Sequence, residues 1–161
     1  RSPSFIDVVI LMSIIPDTVC FAAEKTAGNP FFKGMVSLLF VSGQDNTENW
    51  MRQAENMLSI GLNLLIFPMG ERHKKTEHPK IRKGAAFLAQ KFKKNIAILK
   101  LETSCEFLMK NQPPYEIKNS PVLYDISYTA GINTAEMLEK YPDEAEFHKK
   151  ITNIIRGYLY G

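Results

Sequence analysis

Two short stretches hold residue types that could act together. Arg1-Ser2-Pro3-Ser4-Phe5-Ile6-Asp7 brings two hydroxyls and a carboxylate close in the chain. Leu65-Ile66-Phe67-Pro68-Met69-Gly70-Glu71-Arg72 puts a carboxylate and a guanidinium directly after an apolar run that Pro68 and Gly70 break. A strand that ends in a Pro/Gly turn and runs into a basic loop is a common place for a ligand, and a fixed guanidinium suits a phosphate. Neither serine lies in a Gly-x-Ser-x-Gly nucleophile elbow. A serine hydroxyl is also no general base near neutral pH. His73 and His78 follow Arg72 in the same loop, but nothing in the spacing places either beside Asp7. Asp7 has a structural reading as well, as a helix N3 carboxylate capping Ser4.

The charge is unevenly spread. From Arg72 to Lys94 there are nine Lys/Arg against the single acid Glu77, a charge of +8, while the whole chain carries +3. Such a stripe attracts phosphates, anionic head groups or nucleic acid; the plainer reading is a solvated helix face and a polar loop. Nucleic acid is disfavoured, because no aromatic interleaving or known module accompanies the charge.

At 161 residues, 45% of them hydrophobic and 23% charged, the chain has the size and balance of one globular domain. Its two cysteines, Cys20 and Cys105, form no disulfide framework, and no Cys/His spacing matches a zinc site. A reducing, cytosolic-side setting follows, with no metal and no cofactor expected. The longest apolar stretch, Phe5 to Ile15, is interrupted by Asp7 and Ser13 and closed by Pro16. A bilayer span needs about 20 residues, so neither a transmembrane helix nor a signal peptide is expected.

The elements that must position these groups alternate between helix and strand, which predicts a single layered α/β domain over residues 1–161, with a mostly parallel or mixed central sheet flanked by helices. Ser4 to Ile14 reads as a helix ended by Pro16 and Asp17. Val19 to Ala23 reads as a short strand, Asn29 to Met35 as a helical turn, and Leu38 to Val41 as a buried strand. Asp45 and Glu48 open a helix whose Trp50, Ala54, Met57 and Leu58 share one face and which Gly61 stops. Asn63 to Phe67 reads as a strand covered on both faces. Arg82 to Lys94 is helical, Ile96 to Leu101 a buried strand, and Val122 to Tyr128 a late strand after Pro113-Pro114. A last helix from Asp143 to Tyr158 buries Phe147, Ile151, Ile154, Ile155 and Tyr158.

The two opening stretches resemble the blocks of the glycerolipid acyltransferases, of which the lysophosphatidic acid acyltransferases are the type. That family carries an Asn-His-x-Ser-x-x-Asp block opening a helix and a Phe-Pro-Glu-Gly-Thr-Arg block ending a strand. Asn29-Pro30-Phe31-Phe32-Lys33-Gly34 resembles its Asn-Pro-Phe-x-x-Gly segment, and Lys83-Gly84-Ala85-Ala86 its Gly-Ala-Ala helix start. Order and spacing agree from Ser2 to about Tyr128. The resemblance implies an acyl transfer in which a histidine takes the proton of an acceptor hydroxyl, an aspartate five residues on orients it, and the arginine helps to hold the acceptor's phosphate.

The chain departs from that pattern at the reacting positions. Ser2 stands where the family has its histidine and Arg1 where it has asparagine, while Asp7 is kept. Phe67, Pro68, Gly70 and Arg72 are kept, but Met69 replaces the glutamate and Glu71 the threonine. Leu39 to Gln44 lacks the glycine and arginine of the family's substrate-binding block, and the two prolines of its fourth block fall near Ile96 and Leu99. The chain also begins inside the first block, so the family's N-terminal strand or membrane segment is expected to be lacking. The resemblance implies catalytic positions at Ser2 and Asp7, phosphate contacts at Gly70, Glu71 and Arg72, an acyl-CoA or acyl carrier protein donor, a lysophospholipid acceptor, and a peripheral location on the cytoplasmic side of an anionic membrane. Little activity is expected of this exact sequence, and a non-catalytic relative binding anionic lipid or acyl thioester is the alternative.

Overall fold

The computed structural model describes residues 5–23, 39–42, 47–69, 80–104 and 121–160. The described residues divide into two compact units at Phe67/Pro68.

The first unit opens with α1, Phe5–Ile14, whose sequence FIDVVILMSI is apolar on every side. Such a helix has no preferred buried stripe of its own; here Asp7 and Leu11, one turn apart, are its buried positions, and Val9 and Ile14 are exposed. It closes with Ile15 N donating to Leu11 O at 2.9 Å. Pro16 then breaks it, and Asp17 takes a left-handed φ of 49°, a conformation Asp tolerates better than most residues. β1, Thr18–Ala23, follows at once. It lies between β2, Leu39–Ser42, and β3, Asn63–Leu65, in a parallel sheet of order β2-β1-β3. Cys20 is registered with Leu39 on one side and Leu65 on the other.

The crossover from β2 to β3 contains α2, Thr47–Ser59. Its deepest positions are Met51 and Ala54, with Trp50, Met57 and Leu58 half-buried, so the buried face centres closer to Met51 than the Trp50-based pattern predicts. Gly61 ends it at φ 89°: Leu62 N donates to Met57 O at 3.0 Å and Gly61 N to Leu58 O at 3.3 Å. That bonding pair is a Schellman cap, which requires the left-handed residue glycine supplies.

β3 is shorter than the predicted Asn63–Phe67 strand and is not covered on both faces. Asn63 is exposed, and Leu64 and Leu65 are half-buried. Its start is held by Asn63 Nδ2 donating to Pro16 O at 3.2 Å. Its extension is opposed by Pro68, which has no N–H for a ladder. The predicted turn from Asn29 to Met35 and the Pro113-Pro114 loop lie outside the described residues.

In the second unit, α3 (Gly84–Phe92) is followed by β4 (Ile96–Thr103), β5 (Tyr124–Ile132), α4 (Thr134–Lys140) and α5 (Glu144–Tyr160). β4 and β5 pair antiparallel, with an irregularity where Ile98↔Ala130 is followed by Leu99↔Tyr128. Thr129 is the extra residue on β5, and such a bulge strengthens local twist. The predicted burial of this strand is not uniform: β4 changes its covered side. Ile98 is buried near one end and Thr103, on the opposite face, at the other, while Ala97, Lys100 and Glu102 are exposed. Lys100 Nζ and Glu102 Oε1 pair at 3.4 Å in solvent, a contact of little weight.

α4 was not anticipated. Asn133 caps it: the side-chain oxygen accepts from Ala135 N at 3.1 Å and Glu136 N at 3.4 Å, and Nδ2 donates to Glu136 Oε1 at 2.7 Å. Buried Thr134 ties its start to that of β4, donating from N to Asn95 Oδ1 at 3.0 Å and from Oγ1 to Lys94 O at 2.7 Å. α5 is capped by Asp143, whose Oδ1 accepts from Glu146 N at 2.8 Å. Phe147, Ile151 and Ile155 are buried as predicted, but Tyr158 is 44% exposed, and His148 and Thr152 take buried places beside the apolar ones. Phe147, Ile151 and Ile155 join Met69, Ile81, Ala86, Ile98 and Ile132 in one apolar cluster.

The central strand of the first unit generates a pH prediction. Burial pushes the Cys20 thiol up to about 12 from an ordinary 9.0, so the folded chain holds this proton more tightly than the unfolded chain. That contribution to stability is complete below pH 9 and is lost as pH rises toward 12. Urea unfolding across that range is expected to show the fall, and Cys20→Ala to remove this part of it. Alkylation mapped by mass spectrometry is expected to leave Cys20 unmodified at neutral pH until denaturant is added.

Candidate active site

Asp7 lies in the first turn of α1 and is completely buried. The first turn is where a helix best accommodates a carboxylate, because the unpaired N–H groups and the macrodipole make that end positive. Complete burial separates Asp7 from an ordinary surface cap, since burying a carboxylate is costly unless its oxygens are engaged. The helix that surrounds it offers no other charge, only Ser13, whose Oγ donates to Ile10 O at 2.7 Å. Asp7 is thus a fully buried carboxylate set into an otherwise apolar helix.

Of the positions singled out in sequence, Ser2, Gly70, Glu71 and Arg72 lie outside the described residues, as do His73 and His78. The stem of the second block is described. Pro68 O accepts from Arg82 N at 2.8 Å, which ties the two ends of the intervening segment together. Met69 is 9% exposed and packs in the apolar cluster with Ile81, Ile98 and Phe147. Tyr160 Oη donates to its Sδ at 3.2 Å. A thioether is at home there. A carboxylate would have to lose its hydration among aliphatic and aromatic carbons.

The described members of the basic stripe, Lys80, Arg82, Lys83, Lys91, Lys93 and Lys94, are all exposed. Lys80 to Lys83 precede α3, and Lys93 forms its left-handed C-cap at φ 50°. Cations at the C-terminal end suit the helix dipole; those at the N-terminal end oppose it. The latter are therefore not explained by helix stability.

Sequence reasoning passed over His148. It is buried on α5, its ring 5.9 Å from that of Phe87 and 6.0 Å from that of Phe147, packed as an aromatic of the second unit. Its Nε2 and the Oγ1 of Thr152, one turn on, are buried without a hydrogen-bond partner. The available signal was the spacing of 148 and 152 beside 147, 151 and 155, which widens the buried stripe of α5. Among the described residues no cluster of His, Cys, Asp or Glu could hold a metal ion, and no helix is long and apolar enough to cross a membrane.

The first unit thus carries a buried aspartate on the helix that precedes a three-stranded parallel sheet. The family described as Acyltransferase matches residues 2–101, more than half of the chain, and this chain belongs to that family. No curated protein and no solved structure matches it.

The packing of Met69 sets an expectation. Met69→Glu should destabilise the chain by roughly 3 kcal/mol at neutral pH, the order of burying a charge without its partner, whereas volume-conserving Met69→Leu should cost less than about 1.5 kcal/mol. Burial raises the pKa of the introduced carboxyl, so its penalty is smallest in acid and grows as pH rises through the carboxylate range. Urea unfolding at two pH values checks both.

Proposed function

We propose that this domain belongs to phospholipid synthesis, where its fold serves transfer of an acyl chain from acyl-CoA or acyl carrier protein to the hydroxyl of a lysophospholipid or glycerol-phosphate-like acceptor, and that turnover is impaired by Ser2. The observation that carries the reading is membership of the acyltransferase family across residues 2–101. In the transfer, the acceptor oxygen attacks the thioester carbonyl, its proton passes to a base, the C–S bond breaks, and the thiolate leaves and takes up a proton. Asp7 would orient the base, and Arg72 with Gly70 and Glu71 would hold the acceptor's phosphate. At position 2 this chain supplies a hydroxyl, which takes up no proton near neutral pH.

A second reading is favoured by Met69. A position that carries a carboxylate in the family here carries a packing residue, buried in the apolar cluster. A relative that binds anionic lipid or an acyl thioester without turnover needs the scaffold and the phosphate contact but not the base. Both readings place the domain peripherally on the cytoplasmic face of a membrane, with the exposed cations of 80–94 meeting anionic head groups.

Thiol release from acyl-CoA in the presence of lysophosphatidic acid separates the two readings. The chain is expected to turn over at background, and Ser2→His to raise the rate at least tenfold, since a positioned base contributes about 10²–10⁴-fold. Absence of any gain from Ser2→His favours the binding-only reading, and brisk turnover by the unaltered chain refutes the impairment. Sedimentation with vesicles containing anionic lipid is expected to show binding that weakens as salt is raised; salt-independent binding removes the basic stripe from the account.

A further inference from the structure

α5 buries five residues, and two of them carry polar atoms: His148 and Thr152, each 7% exposed. Nε2 of the imidazole and Oγ1 of the threonine are buried, and neither has a hydrogen-bond partner. Positions 148 and 152 stand one turn apart on the same face of the helix, where Cβ atoms lie about 5–6 Å from each other. The imidazole is held in place on two sides. Phe87 of α3 lies 5.9 Å away with the rings tilted by 58°, and Phe147 meets it edge-on at 6.0 Å and 66°, geometries that aromatic pairs favour. Thr152 has a local alternative that it does not take. A helical threonine hydroxyl commonly donates to the carbonyl four residues back, here that of His148, and Oγ1 makes no such bond.

An unpaired buried polar atom costs more than a typical hydrogen bond contributes, so two on one turn call for a partner that serves both. The side chains do not suit a metal ion: among the described residues no group of His, Cys, Asp or Glu could hold one. Water suits them. It donates and accepts, so it fits either tautomer of a neutral imidazole as well as a hydroxyl. A molecule about 2.8 Å from each atom also spans the gap set by one helical turn.

We propose that His148 and Thr152 form an internal water-binding site: one water molecule bridges His148 Nε2 and Thr152 Oγ1 and is a structural ligand of the second unit. The site accounts for a histidine and a threonine in a buried face whose other members, Phe147, Ile151 and Ile155, are apolar.

The test uses the full chain. Urea unfolding is measured for Thr152→Val, which keeps the shape and removes the hydroxyl, for His148→Phe, which keeps a ring and removes both nitrogens, and for the double variant. If water joins the two groups, either single substitution strands the remaining partner and lowers the folding equilibrium constant about threefold to tenfold, the factor carried by one hydrogen bond. The double variant should return to within about twofold of the unaltered chain, because replacing both ends by apolar groups of similar shape is nearly neutral. If the two groups are instead unpaired, each substitution relieves a cost: Thr152→Val then raises the constant, the effects add, and the proposal is overturned. A crystal structure gives a reading that packing does not move, and it stands even where His148→Phe fails to fold. An ordered water within about 3.2 Å of both atoms is expected in the unaltered chain and in Thr152→Ser, which keeps the hydroxyl, and is expected to be lost in Thr152→Val. A dry site in the unaltered chain, or a water that stays in Thr152→Val, overturns the proposal.

Discussion

One apolar cluster decides what position 69 can be. Ile81, Ile98, Ile132, Phe147 and Ile151 surround a site where Met69 contributes its thioether to the same packing, and close-packed interiors accept volume and refuse unpaired charge. The segment that leaves this cluster is short of freedom at its root. Its first residue is buried, its last neighbour Ile81 is buried, and a backbone hydrogen bond joins Pro68 to Arg82. The described basic residues from Lys80 to Lys94 all face solvent.

The same division of labour holds in the first unit. α1 retains the family's aspartate as a fully buried group while every other residue of the helix but Ser13 is apolar. The carboxylate is thereby part of the structure of this unit rather than of its surface. Cys20, registered between Leu39 and Leu65, is a deeply buried position of this unit's sheet.

Most elements were legible because local chemistry marks them. Pro16 and Asp17 end α1, Gly61 supplies the left-handed residue of α2's cap, and Asp143 caps α5. α4 was missed although Asn133 is a side-chain N-cap that also donates to the Glu136 carboxylate, because only seven residues follow and their apolar positions are too few to show a period. The apolar runs at Asn63–Phe67 and Ile96–Leu101 predict a doubly covered and a buried strand because such a run does not reveal how many neighbours it has; β3 is three residues long and β4 changes sides beside a bulge. At the candidate site, the identity of Asp7 was legible and its complete burial was not, since a helix apolar on all sides gives no face to assign. The tie between Met69 and Tyr160 spans 91 residues, a separation over which spacing carries no information.

The order β2-β1-β3 has a kinetic consequence. β1 is made first in the chain but is flanked on both sides by strands made later, and its pairing with β3 links Cys20 to Leu65. Parallel neighbours cannot be joined by a tight turn, and contacts so distant in sequence form late because chain closure must precede them. Until β3 arrives, one flank of Cys20 is open to water. The moment at which this thiol becomes inaccessible therefore times the last closure of the sheet, and the chain carries its own clock for the assembly of its first half.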